Sequence, residues 1–182
     1  MSKLRAKRKR ARPSTIRALE GRSYPLGANV RTEGVNFSLY SKHATGIELL
    51  LFDRQDDPQP ARTIQITNRS YHYWHVFVPG LRAGQIYGYG VAGPFDPASG
   101  MRFDPDKVLL DPYGRSVVVP EDYNREAASV SGDTSRTAMK NVVIDPHQYD
   151  WQGDTPLKYA FGPDDHLRNA CARFHPPPKL RR

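Results

Sequence analysis

From Tyr24 to Gly93 the chain is cut into strand-length runs, each closed by residues that turn the backbone. VNFSLYS (35–41), RTIQIT (62–67) and YHYWHVFVP (71–79) alternate apolar and polar positions with the two-residue period of a half-buried strand. Val35, Phe37 and Leu39 share one face, opposite Asn36, Ser38 and Tyr40. Trp74, Val76 and Val78 likewise oppose Tyr73, His75 and Phe77. GIELLLFD (46–53) is almost continuously apolar, which predicts a central strand buried on both faces. YPLGA (24–28), IYGYGVAG (86–93) and VVIDP (142–146) complete the set. Short strands at close intervals, with turn residues between them, predict an all-β antiparallel sandwich. Sixteen prolines and fourteen glycines fit so many turns. A hydrophobic content of 38% supplies one modest core.

Two local patterns sharpen this picture. Gly88 and Gly90 alternate with Tyr87, Tyr89 and Val91, so one face of that strand lacks side chains. Another backbone or a ligand is expected close to it. Beyond Pro94 the chain is loop-rich, and Asp-Pro recurs at Asp96, Asp104, Asp111 and Asp145. Each pair predicts a turn, because proline disfavours helix at the preceding residue and aspartate caps local backbone N–H groups.

The net charge of +8 suggests a nucleic-acid partner until it is located. Residues 1–22 hold nine basic side chains against Glu20 and account for all of it. The middle segment, 23–159, is slightly acidic, and 160–182 is again basic. This distribution predicts a disordered basic tail on a near-neutral module, with no nucleic-acid or membrane partner expected. The basic run has no aromatic residue for base stacking and no apolar face for a bilayer. Cys171 is the only cysteine, which excludes an intramolecular disulfide. With no secretory or membrane-spanning run visible, a cytoplasmic location is expected.

Seven segments appear in order: YPLGA, GVNFSLYS, IELLLFD, WHVFVPGL, GQIYGYGVAGPFDP, RFDPDKVLLDPYGR and YDWQGDTPL. Together they resemble the N-terminal domain of isoamylase and bacterial glycogen debranching enzymes. That domain belongs to carbohydrate-binding module family 48 and precedes the barrel of glycoside hydrolase family 13, in the α-amylase clan. The resemblance spans about residues 22–157. It implies an α-glucan partner of the glycogen or amylopectin kind, no cofactor, and a role in α-1,6 debranching.

The division expected is a basic tail (1–22), an immunoglobulin-like glucan-binding domain (23–93), a connector to a barrel (94–159) and an aberrant tail (160–182). The family's three catalytic carboxylates lie on later barrel strands, and a barrel needs ~250 residues of its own. No catalytic residue is therefore carried over to this chain. In the last segment, codons for Asp164–Cys171 read one nucleotide later permit Thr-Ile-Ile-Tyr-Glu-Met-His-Val, much like the family's first barrel strand. A frameshift near Tyr159 is the expectation, with an unrelated genuine terminus as the alternative.

For sugar contact the candidates are Trp74, Tyr87 and Tyr89. An indole or phenol ring offers an apolar platform for the C–H face of a pyranose. The competing reading of Trp74, in phase with Val76 and Val78, is core, and its aliphatic neighbours favour that reading. Tyr87 and Tyr89 serve equally as platform or packing. His72 and His75 point to opposite faces of one strand and form no joint metal site, so no metal is expected. Three functions follow: the glucan-binding portion of a debranching enzyme without its own catalysis, a free-standing module acting in trans, or a nucleic-acid-associated protein using residues 1–22.

Overall fold

The structure, a computed structural model, describes residues 18–155. The expectations for residues 1–17 and for the tail 160–182 lie outside these described residues. Within them the chain is an all-β sandwich, as its alternation predicts. Strands β1 (Gly27–Arg31), β2 (Gly34–Tyr40), β5 (Asn68–Ser70) and β6 (Tyr73–Pro79) form one antiparallel sheet in the order β1-β2-β6-β5. Strands β3 (Gly46–Phe52), β4 (Arg62–Ile66), β7 (Ile86–Ala92), β10 (Val117–Val118) and β11 (Lys140–Val142) form the other, in the order β10-β11-β7-β3-β4. A small hairpin, β8 (Phe95–Asp96) with β9 (Met101–Arg102), stands apart from both. No helix among the described residues is long and apolar enough to cross a membrane.

The core lies where the two inner faces meet. Leu39, Phe37 and Val35 oppose Trp74, Val76 and Val78 in register across β2 and β6. Ile47, Leu49 and Leu51 oppose Val91, Tyr89 and Tyr87 across β3 and β7. All twelve are buried. Each such side chain contributes roughly 1.5–3 kcal/mol on leaving water, so the alternation is itself the main stabilising term. β3 is buried on its second face too, where Leu50 and Phe52 pack against Val108. Its unbroken apolar run is thereby explained.

The glycines of β7 receive the backbone expected of them. Tyr89 and Leu109 exchange backbone hydrogen bonds of 2.9 and 2.8 Å, and a Cβ on Gly88 would lie 2.7 Å from Val108 Cγ1. The segment 105–109 thus covers the outer face of the second sheet at this point.

The second sheet continues past Gly93: β10 and β11 come from the stretch read as connector, and β11 pairs with β7. β11 overlaps the strand expected at 142–146 only at Val142, and β10, two residues long, shows no periodicity to read. Instead, buried polar ties secure this stretch. Asp111 Oδ2 accepts from Tyr87 Oη at 2.9 Å, its Oδ1 accepts from Tyr113 N at 2.8 Å, and its own N–H donates to Asn141 Oδ1 at 2.6 Å. Lys140 donates to Gln55 O at 2.6 Å beneath the Phe52 ring, and Lys107 donates to Ala127 O and Val130 O. Of the apolar connector residues, Val108 is buried, while Leu109, Leu110, Val117 and Val119 stay exposed. The other Asp-Pro aspartates cap their turns as predicted: Asp96, Asp104 and Asp145 accept from Ser99, Asp106 and His147 N–H groups.

At the other end, order begins before Ser23. Leu19 pairs with Phe77 through two backbone bonds, and the chain then crosses the outer face of the first sheet. There Asn36 holds Arg22 by both its amide groups, at 2.7 and 2.9 Å, and Ser38 Oγ donates to Ser23 O at 2.7 Å. Gly21 permits this contact, since a Cβ would sit 2.6 Å from the Val76 carbonyl carbon. The basic composition of residues 1–22 hid this strap, because its hold is made by backbone and by Asn36.

Asp111 sets a pH dependence. Burial raises its carboxyl above the ordinary range, against the opposing pull of the Tyr113 and Tyr87 hydrogen bonds. Between the unfolded value, about 3.9, and the higher folded value, the native state holds the extra proton. Its contribution is therefore fully present below the unfolded value and is lost as pH rises through the folded one. Asp111→Asn retains an acceptor and removes the titration. Urea midpoints measured at stepped pH are expected to fall over that window in the parent and to lack this component in the variant.

Residues 148–155, the described part of a second compact unit that starts at Gln148, form a tight turn. Asp150 Oδ1 accepts from Gln152 N at 2.8 Å, and Tyr149 and Trp151 meet edge to face at 4.9 Å.

Candidate functional site

Burial decides which aromatic side chains can meet a ligand. Trp74 is buried; its Nε1 donates to Ser41 O at 3.1 Å and the Arg69 guanidinium covers its ring at 5.0 Å. Tyr87 and Tyr89 are buried as well and meet each other edge to face at 5.9 Å. Burial, and then Asp111, holds both phenols well above their ordinary range, so they remain neutral. None of the three presents a ring face to solvent, which fits the packing alternative: core for Trp74, as its aliphatic neighbours favoured, and packing for Tyr87 and Tyr89. The physical reason is phase: all three lie on the inner faces of their strands.

The outer faces differ from one another. That of the second sheet is covered where 105–109 crosses it, whereas that of the first sheet carries, among the described residues of the first unit, the narrow strap of Gly21–Ser23. Beyond the strap, at the β5–β6 turn, three aromatic side chains gather. Tyr40, the last residue of β2, sits opposite Tyr73, the first of β6, and their rings meet edge to face at 5.3 Å. His72 adds a third ring, 6.0 Å from Tyr40. Tyr40 and Tyr73 are 47% and 37% exposed, which leaves ring surface for a ligand.

The turn itself is braced. Ser70 pairs with Tyr73, so Tyr71 and His72 form a two-residue hairpin loop. Tyr71 adopts φ 56°, a left-handed conformation unusual for a bulky residue, and is 90% exposed. Arg69 holds the loop, donating from Nε to Tyr71 O at 2.5 Å and lying 3.2 Å by Nη2 from His72 Nδ1. Ser41 N donates to His72 O at 2.9 Å and ties the loop to β2. The two-residue hairpin itself calls for a positive φ at its first loop position, and among the described residues no ring contact engages the exposed Tyr71 side chain.

The arrangement offers apolar ring faces beside phenol hydroxyls and an imidazole. This is binding chemistry: stacking of flat C–H faces, and hydrogen bonds in both directions. Among the described residues no group of three or more His, Cys, Asp or Glu could hold a metal ion. The sequence contained a usable signal, since Tyr40 and Tyr73 are large rings on the outward phase of β2 and β6, which also carries Asn36, Ser38 and His75.

Comparison with known proteins bears on this geometry. Residues 25–114 match the family model of carbohydrate-binding module 48, the isoamylase N-terminal domain. The glycogen debranching enzyme of Serratia proteamaculans is 46% identical over 150 residues, which is 78% of this chain and 22% of that protein. The enzyme of the same name from Yersinia pseudotuberculosis is 37% identical over 171 residues, 88% of this chain and 25% of that one. The chain thus spans about a quarter of the length of these relatives. In fold it is similar to the pneumococcal glycogen-degrading virulence factor SpuA, with a TM-score of 0.52 at 22% identity over 73% of this chain and 13% of that one. The pullulanase SAP of group B Streptococcus, solved with maltotetraose, gives 0.51 at 22% identity over 72% of this chain and 16% of its own.

Proposed function

Because the chain belongs, through residues 25–114, to the carbohydrate-binding module 48 family, we propose that it binds α-glucan chains of the glycogen or amylopectin type at the Tyr40–His72–Tyr73 cluster. The single observation that carries this reading is the exposure of that cluster on the open sheet face while the inward aromatics are buried. A pyranose ring laid on Tyr40 or Tyr73 buries its C–H face, and its hydroxyls reach the phenols and His72. The braced loop pre-orders the rings, so little conformational freedom is lost on binding.

In a longer protein of the debranching type, the module's role is to hold substrate, and bond cleavage belongs elsewhere. A retaining glycosidase needs two carboxyl groups about 5–5.5 Å apart on a rigid frame, flanking the scissile bond. The reading gives that task to no residue of this chain. Acting in trans on a separate enzyme would use the same surface.

Co-sedimentation with glycogen tests the proposal. The chain is expected to pellet with the polymer, to be released by maltoheptaose, and to liberate no reducing ends from amylopectin. A chain lacking residues 1–17, which keeps the strap from Leu19 onward, is expected to pellet equally. Loss of sedimentation on that deletion would instead assign the binding to the basic tail.

A further inference from the structure

On the other side of the strap the same sheet face opens into a groove of about 480 Å³, a size typical of small-molecule sites. Its walls are the strap at Glu20–Arg22 and the β1–β2 turn at Arg31–Glu33; its floor is Asn36 and Phe77. Both walls are held against the sheet by glycine. A Cβ on Gly21 would lie 2.6 Å from Val76, and one on Gly34 would lie 2.8 Å from Pro79 Cα. Gly80 N donates to Glu33 O at 2.8 Å and fastens the turn. On the floor, the Asn36 amide holds Arg22 backbone through both its oxygen and its nitrogen, leaving one N–H free to meet a ligand. The groove walls are therefore fixed before any ligand arrives.

Its chemistry is balanced. Arg22 and Arg31 face Glu20 and Glu33, all four exposed, and among the described residues no ion pair joins them. Two guanidiniums donate, two carboxylates accept, and the half-buried Phe77 ring adds an apolar surface. Such a lining suits a neutral ligand with many hydroxyls, each of which both donates and accepts. It does not suit an anion, because the two carboxylates cancel the two arginines.

We infer that this groove is a second saccharide site, separate from the aromatic cluster. The inference rests on the α-glucan reading above and adds to it a module that takes two glucan segments at once. Along β2, Asn36 and Tyr40 are four residues apart, about 13 Å. The strap passes between them. Two chains of a branched polymer, or two stretches of one, then engage the same face, and avidity for the polymer exceeds that of either site.

An amide NMR titration of the full chain with maltotriose tests this. Two saturable responses are expected, one at Gly21, Thr32 and Gly34, the other at Ser41, Tyr71 and Tyr73. In the Arg31→Gln, Glu33→Gln double variant the first should weaken by about tenfold, as loss of charged hydrogen bonds requires, with the second unchanged. In Tyr40→Ala, Tyr73→Ala the pattern should reverse. Groove amides that stay still while the aromatic site saturates, or that respond equally in the groove variant, overturn the second site and leave the first standing. Silence at both places overturns the α-glucan reading and the groove with it.

Discussion

Replacing Tyr40 and Tyr73 together by alanine is expected to weaken glycogen binding by at least about thirtyfold while leaving the fold intact. The size follows from the role of exposed aromatic anchors, of which a single full interface hot spot is worth ~2 kcal/mol or more. The selectivity follows from position. Both rings lie on the outer face, at the ends of their strands and partly in solvent, so their removal opens no cavity in the core. Their mutual edge-to-face contact is lost, a cost of about 0.5–1.5 kcal/mol. Isothermal titration with maltoheptaose, paired with urea unfolding of the same protein, separates the two quantities. Retained affinity in a folded double variant would remove the cluster from the site.

Trp74→Ala should do the opposite. The indole is 7% exposed, packs opposite Leu39, and donates to Ser41 O across the sheet. Truncating a buried tryptophan costs about 3–5 kcal/mol, through lost transfer energy and the cavity left behind. Since a domain's whole stability is roughly 5–15 kcal/mol, the variant is expected near the edge of folding. Arg69 would also lose the ring beneath it, and with it part of the brace on the Tyr71–His72 loop. Chemical denaturation should therefore show a large fall in midpoint, and any loss of glucan affinity should recover at low temperature or in stabilising osmolyte. A Trp74→Ala protein of unchanged stability that no longer binds glucan would restore the tryptophan to the site.

The contrast between these two substitutions shows what the sequence could and could not reveal. Phase was legible: Val35, Phe37 and Leu39 on one side of β2, and Trp74, Val76 and Val78 on one side of β6, all turn inward. So was the close approach at Gly88, because a strand missing side chains on one face needs a neighbour there. The exposed aromatic cluster was overlooked for a reason of the same kind. A tryptophan draws attention by its size, but its phase with two valines places it inside. Tyr40 and Tyr73 stand on the outward phase, at strand ends where their rings stay partly exposed.

Other features had no periodic signature at all. β10 is two residues long, too short for alternation to register, and β11 meets the expected strand 142–146 only at Val142. Lys107 and Lys140 are buried in a stretch that reads as polar loop, and their burial depends on backbone carbonyls brought from Ala127, Val130 and Gln55. The strap from Leu19 to Ser23 is held by Asn36 and Ser38, polar residues on an outward phase whose partners arrive from outside the strand. In each case the deciding contact is between segments distant in sequence.

The most direct measurement is hydrogen exchange of the intact chain with and without saturating maltoheptaose. Glucan is predicted to slow exchange in residues 38–41 and 70–74, on the open face of the first sheet. Protection confined to β3, β4 and β7, or no protection anywhere, would contradict it.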